Sequence, residues 1–292
     1  MTGKDIAQVL NFASFRPEPD DPTAAWKRRF PGGKSLFFGL GKQSLSVHPS
    51  LKGGKFGKPE LIREIKDLKE TLGGVGHQMA KDFTEAGWCA ICLNTRYIIS
   101  LESNLSRRPG SEEIVKTNPR TVLGGRYEKG KKYAVTHNPE TNSSILLTID
   151  EEQLKKIEVA FKDSGLQIAR IFCGSYVLLM HALSTINTTK GNEKPASGFV
   201  ITLCEGAVCA LVQDNDKWLE LRSRTDVYED DLAPALELVS PFQARISADM
   251  PVYVVADTQI PGLAESVEQI FRGHKVTDLS QPNLLWTLAT EN

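Results

Sequence analysis

From Ser35 onward the chain alternates short apolar runs with stretches of helical period. Ser35–Leu40 and Ser44–Val47 read as a hairpin turning at Gly41-Lys42-Gln43. After a glycine-rich spacer, Lys52–Lys58, Pro59 is expected to open an amphipathic helix. Leu61, Ile62, Ile65, Leu68 and Leu72 recur there at helical spacing, up to Gly73-Gly74. A second helix is expected over His77–Glu85, and Gly87 introduces a buried strand, Trp88–Leu93. The more polar stretch from Asn94 to Ser144 holds strand candidates at Tyr97–Leu101 and Tyr133–Thr136, with Ile145–Ile149 just beyond. Between the first two, Ser111-Glu112-Glu113-Ile114 reads as a helix start capped by Ser111, with acids suited to the positive end of the helix dipole.

Asp150-Glu151-Glu152-Gln153 is a clear helix N-terminus, because Asp150 can accept from otherwise unpaired backbone amides. Leu154, Ile157, Ala160 and Phe161 form that helix's apolar face, and Ser164-Gly165 stops it. A strand over Leu166–Cys173 and an apolar helix over Ser175–Ile186 follow. The polar loop Asn187–Ser197 leads to three strands, Gly198–Leu203, Val208–Gln213 and Trp218–Arg222, the last two joined at Asp214-Asn215-Asp216. The remainder reads as a helix over Asp231–Ile246 kinked by Pro241, a strand Pro251–Ala256, a helix Pro261–Arg272 and an edge strand His274–Leu279. Strand and helix alternate, so the class is α/β.

Composition changes this picture little. A chain of 292 residues, 40% hydrophobic and 24% charged, has material for two lobes and a sizeable core. A net charge of −1 supplies no global field for nucleic acid, and the basic run at Lys129, Lys131 and Lys132 reads as a solvated loop. The odd set Cys89, Cys92, Cys173, Cys204 and Cys209 lies in apolar runs, as packed free thiols do, and not in a secreted disulfide framework. Cys89-x-x-Cys92 sits inside a strand, where its side chains face opposite ways and suit neither zinc nor redox chemistry. Met1–Leu10 is too polar for a targeting core, and the longest apolar stretch, Tyr176–Leu183, is less than half a membrane span. A cytoplasmic protein with no direct membrane span is expected. The five histidines are scattered, and Glu229-Asp230-Asp231 reads as a helix-start cluster, so no metal site is expected.

Three stretches in order carry a family resemblance: Ile145–Leu166 with its Ser-Gly-Leu turn, Ile171–Leu183, and Val252–Ala264 with Pro-Gly-Leu opening a helix. With Leu93–Glu102 entering a small extra subdomain, they resemble the actin-like ATPases, and among these the PilM-type platform proteins and the cytoplasmic part of the type II secretion L-protein. The resemblance implies a bilobed actin-like (ribonuclease H-like) α/β fold with a small inserted subdomain. Residues 1–34, rich in proline and acid, would form a flexible arm. Residues 35–165 would form the N-terminal lobe, with the insert at about 94–144, and residues 166–292 the C-terminal lobe.

In such a fold two hairpin turns cradle nucleotide phosphates and nearby aspartates organise Mg²⁺. The corresponding residues here are Gly39, Gly41, Lys42 and Ser44 in the first hairpin, Glu205 and Gly206 in the second, and Asp257 at the adenine-side loop. The pattern departs from the family at all three. The first loop lacks its acid, the second lacks hydroxyl residues and is short, and Ala256-Asp257-Thr258 replaces a Gly-Gly pair. The cleft therefore reads as vestigial, with no catalytic residue and no cofactor expected, ATP and Mg²⁺ included. The implied role is a non-catalytic pseudo-ATPase scaffold. It would be peripheral to the inner membrane through its partners, which would be assembly or secretion proteins or further copies of itself. A divergent ATPase or kinase of the same fold is the alternative, and a small-molecule binding module is a third reading.

Overall fold

Two five-stranded sheets repeat one strand order. The computed structural model describes residues 36–41, 44–48, 60–80, 87–94, 97–189, 195–228, 230–257 and 259–290. The expected arm at 1–34, Lys42 and the 81–85 part of the second helix lie outside the described residues.

In the first sheet, β1 (Leu36–Leu40) pairs antiparallel with β2 (Ser44–His48), and β2 with β3 (Glu60–Arg63). On its other side β1 runs parallel to β4 (Gly87–Leu93), which runs parallel to β8 (Leu166–Phe172). The order is β3-β2-β1-β4-β8. The second sheet repeats it as β11-β10-β9-β12-β13, from β9 (Gly198–Cys204), β10 (Ala207–Asp214), β11 (Lys217–Thr225), β12 (Val252–Ala256) and β13 (Val276–Asp278). β9, β10 and β11 are antiparallel neighbours, whereas β12 and β13 join parallel. Parallel neighbours need long crossovers, and helices supply them.

Between β3 and β4 runs α1 (Leu68–Ala80), which packs against α4 (Glu151–Asp163). As expected, Asp150 caps α4 by accepting from the Gln153 amide at 3.0 Å. The apolar α5 (Gly174–Thr189) lies against β9, β10 and β12. Its buried residues join both sheets in one core, where Phe37 stacks on Phe172 and Phe38 meets Phe161 edge-on. α6 (Ala233–Val239) and α7 (Leu263–Ile270) cover the other face of the second sheet through Phe199, Phe242 and Phe271. Pro241 acts as anticipated: α6 gives way to a tighter turn at Ser240–Phe242.

A separate three-stranded sheet is inserted between β4 and α4. Its order is β5-β7-β6, from β5 (Tyr97–Ser103), β6 (Lys131–His137) and β7 (Ser143–Asp150). Two short helices, α2 (Ser111–Thr117) and α3 (Pro119–Leu123), cap one face over Val115, Val122, Leu123 and Val135. The insert's sheet runs on to Asp150, past the expected limit at 144.

Several expectations are corrected. Leu61 and Ile62 belong to β3, not to a helix, because β2 would otherwise be an unpaired edge and Ser46 pairs with Leu61. α1 starts only at Leu68, where the Asp67 carboxylate accepts from the Glu70 amide. It continues through Gly73-Gly74 into the region expected to hold a second helix. Ser111 is not the cap of α2: Gly110 is, at φ +72°, and Ser111 turns inward. Leu166–Phe172, expected in the second lobe, completes the first sheet. A last helix, α8 (Leu284–Thr290), had no counterpart in the sequence reading.

Candidate functional site

The repeated strand order gives each lobe a leading hairpin, β1–β2 and β9–β10, and their turns meet. In the first, Leu40 pairs with Leu45 and Gly39 with Ser46, and the Gly41 amide donates to the Ser44 carbonyl at 3.0 Å. In the second, Cys204 pairs with Ala207, leaving a two-residue turn of Glu205 and Gly206. Both have positive φ, +46° and +74°, as a tight primed hairpin turn requires. Glycine adopts this geometry freely. For an L-residue such as Glu205 the left-handed region costs about 1–2 kcal/mol, so the position carries strain that its side chain must offset.

That side chain reaches into the first hairpin. The Ser46 hydroxyl donates to Glu205 Oε1 at 2.8 Å. The carboxylate presses on the bare Cα of Gly39, where an added Cβ would stand 1.8 Å from Oε1 and 2.2 Å from Ser46 Oγ. At Gly41 a Cβ would lie 2.3 Å from Ser44 Oγ and 3.7 Å from the Glu205 carbonyl oxygen. Gly39, Gly41, Ser44 and Ser46 thus form a cradle, and the acid of the opposite hairpin fills it. His48 lies behind Ser46, buried beside Phe37 with ring centroids 4.7 Å apart. Burial pushes its pKa down to about 4, against the opposing pull of a hydrogen bond with Asn283.

Next to the turns a second contact ties the lobes. Asn94, at the end of β4 and 2% exposed, donates to the Cys204 carbonyl. Its own carbonyl oxygen accepts from Ser175 Oγ at 3.0 Å and from the Cys173 thiol at 3.9 Å. Cys92 and Cys204, one from each lobe, have sulfurs 4.0 Å apart. Gly174 opens α5 against both, and an added Cβ would stand 2.5 and 2.6 Å from the two sulfurs. Burial, with Glu205 and Asp257 nearby, raises the pKa of both thiols, so they are held protonated in the closed junction. The Asp257 carboxylate accepts from the Leu285 amide and so pins the start of α8.

One further polar chain lies in the insert. Ser111 Oγ is 2.8 Å from His137 Nε2, and His137 Nδ1 is 2.7 Å from Ser144 Oγ. A serine–imidazole–serine series has the connectivity of a nucleophile, a base and an orienting group. Both hydroxyls are buried, however, at 3% and 0% exposure, so no substrate reaches them, and the chain clamps α2 onto the sheet. Among the described residues no three His, Cys, Asp or Glu side chains converge as a metal site requires.

The duplicated strand order, the facing hairpin turns and the insert after β4 decide the architecture. It is the actin-like ATPase fold. A PilM–PilN type IV pilus biogenesis complex contains a chain that superposes on 88% of this one and 90% of its own length, with TM-score 0.55 and 13% identity. The cytoplasmic domain of EpsL, an inner-membrane component of the Vibrio cholerae type II secretion system, matches over 88% and 93% (TM-score 0.51, 10% identity). A Bacteroides thetaiotaomicron protein with an actin-like ATPase fold and unknown function covers 94% of this chain with all of its own (TM-score 0.50, 11% identity). No family model and no curated protein matches the sequence. Identities this low establish the actin-like fold and leave function to the chemistry of the site.

Of the residues singled out in the sequence, the structure gathers Gly39, Gly41, Ser44, Glu205 and Gly206 at one point. Asp257 lies near the Cys92–Cys204 pair and braces α8. Sequence reasoning missed Ser46, Asn94, Gly174 and the Cys92–Cys204 pairing. Ser46 reads as an ordinary polar position in an alternating strand. Asn94 carried the one available signal, a lone amide ending an unbroken apolar run.

Proposed function

We propose that this chain is a non-catalytic actin-like scaffold of an inner-membrane pilus or type II secretion-like assembly platform, which binds a partner protein or its cytoplasmic tail. One observation carries the non-catalytic half: the Glu205 carboxylate sits in the glycine–serine cradle where the fold would hold phosphate. A triphosphate there would have to expel a hydrogen-bonded acid. With the carboxylate seated against Gly39 and bonded to Ser46, the space and the hydroxyl that a phosphate would use are already taken. The residues at the cradle do not fit Mg-ATP, and no nucleotide cofactor is assigned.

The partner half draws support from the two neighbours with TM-scores above 0.5 whose descriptions place them in such machines. β5 is an edge strand of the insert, and Ile98 on it is 59% exposed. β5 also packs against β11 of the second sheet, so a partner's tail would dock through the exposed apolar side chain of Ile98. No helix among the described residues is long and apolar enough to cross a membrane, so attachment through a partner accords with this reading.

Thermal denaturation with millimolar Mg-ATP tests the first half. A ligand at 100 times its dissociation constant adds about 2.7 kcal/mol to native stability. The scaffold reading expects no rise in the midpoint, and a rise would favour the divergent ATPase or kinase. Retention of a membrane-protein tail peptide by the wild type, and its loss in Ile98→Glu, tests the second half.

A further inference from the structure

Cys92 lies one residue before the end of β4 in the first lobe. Cys204 is the last residue of β9 in the second and directly precedes the Glu205 turn. They are 112 positions apart in sequence, yet their sulfurs lie 4.0 Å from each other in a fully buried contact. A disulfide needs about 2.05 Å between sulfurs, an approach within reach of side-chain rotation and a small shift of the strand ends. The other three thiols, Cys89, Cys173 and Cys209, are buried as well. The Cys92–Cys204 pair is the cysteine pair whose thiols are joined by a hydrogen bond among the described residues.

We infer that Cys92 and Cys204 form a redox latch, whose disulfide fixes the two lobes in the closed arrangement with Glu205 seated in the first hairpin. The position of the pair makes the link consequential. Asn94 holds the Cys204 carbonyl from the same strand end that carries Cys92, and Gly174 leaves no room between the sulfurs and α5. A covalent bond at this point joins β9, which leads into the Glu205 turn, to β4, the parallel neighbour of β1. The oxidant is a small peroxide. When the Glu205 turn withdraws, one sulfur becomes accessible, loses its proton and attacks the peroxide O–O bond. One oxygen stays on sulfur as a sulfenic acid, and the other leaves as water or an alcohol. On closure the second thiol attacks that sulfur, the S–O bond breaks, and water departs with the thiol's proton. Two electrons pass from the two thiols to one peroxide. In the closed reduced form burial keeps both thiols protonated and slow to react, so oxidation is gated by opening and then prevents it.

The test treats the folded, full-length protein with hydrogen peroxide, followed by thiol blocking, intact-mass measurement and peptide mapping without reductant. The expected product carries two fewer blocking groups than the untreated protein blocked in the same way, shows a Cys92–Cys204 cross-link and melts on the order of 5–10 °C higher, as a link closing a loop of this length implies. Dithiothreitol should reverse the shift, and Cys204→Ser should show neither the link nor the rise. Glu205→Ala, which loosens the closed state, should form the link several-fold faster. A map that pairs other cysteines, or that finds only over-oxidised thiols, overturns the inference, as does a link that leaves the midpoint unchanged or lowers it. The mapping needs only the wild type, so it stands even if the serine variant fails to fold.

Discussion

Removing the Glu205 side chain tests how far the closed junction depends on it. Two contributions of opposite sign meet at this residue. Its hydrogen bond with Ser46 joins a charged acceptor to a part-buried hydroxyl at 2.8 Å, and such bonds contribute about 1.5–3 kcal/mol. Its φ of +46° costs about 1–2 kcal/mol against glycine. Glu205→Ala loses the bond and keeps the strain, so it should destabilise by about 2 kcal/mol, or about 4 °C for a chain of this length. Glu205→Gly loses both and should recover about half of that. Gly39→Ala supplies the coupling measurement. Its Cβ would stand 1.8 Å from Glu205 Oε1 and 2.2 Å from Ser46 Oγ, so in the wild type both groups must yield. With Glu205→Ala in place only Ser46 must move. The second substitution should then cost about 1–2 kcal/mol less than in the wild type, a coupling within the range seen for contacting residues. The assay is urea unfolding of the four proteins of the cycle, with Glu205→Gly alongside. If the alanine and glycine variants match each other and the wild type, or if Gly39→Ala costs the same in both backgrounds, the carboxylate does not fill the cradle in solution.

Three further perturbations have signs fixed by the structure. His48 takes up a proton only near pH 4 in the folded chain but near its ordinary 6.5 when unfolded. The unfolded state therefore binds more protons between those values. Stability is fully present above about pH 6.5 and falls by roughly 3 kcal/mol as pH drops to about 4; His48→Gln should flatten that part of a stability–pH curve. Asn94→Ala leaves the Cys204 carbonyl and the Ser175 hydroxyl without their partner in a buried site. It should cost about 2–4 kcal/mol, read as a lower urea midpoint. Ser111→Ala cuts the Ser111–His137–Ser144 chain and should cost about 1 kcal/mol, with amide exchange accelerated in α2 before the rest of the fold.

Local chemistry made much of the architecture legible. Asp150 before Glu151-Glu152-Gln153 announces α4 because a carboxylate at that spacing satisfies exposed amides, and the structure has that bond. Pro241 ends α6 because proline cannot donate within a helix. These signals act within a few residues of their cause. Leu61 and Ile62 show the limit. With Ile65, Leu68 and Leu72 they satisfy a helical stripe, yet they form β3 because β2 presents an unpaired edge to them. Sequence period alone does not reveal that demand. α8 went unread although Asn283, a residue favoured at helix starts, directly precedes it; what holds it is Leu284 and Leu285 in the shared core and Asp257 from another loop.

The cradle shows the same division with more at stake. That Gly39, Gly41 and Ser44 form one turn and Glu205 and Gly206 another is readable from the chain, and so is the lack of hydroxyl residues in the second. That the second turn enters the first is a contact between residues 159 positions apart, and it rests on an absent side chain at Gly39. Read as a sequence, Glu205 is a residue of a vestigial cleft; in the fold its carboxylate sits against Gly39 and Ser46 of the opposite hairpin. The difference matters physically. An empty cradle would leave Ser46 and the turn amides to water and would keep an affinity for anions. A cradle closed by an internal carboxylate satisfies the Ser46 hydroxyl within the chain and ties the lobes together at the same point. The strain kept at Glu205, where glycine would relieve it, is what a residue retained for its side chain would show.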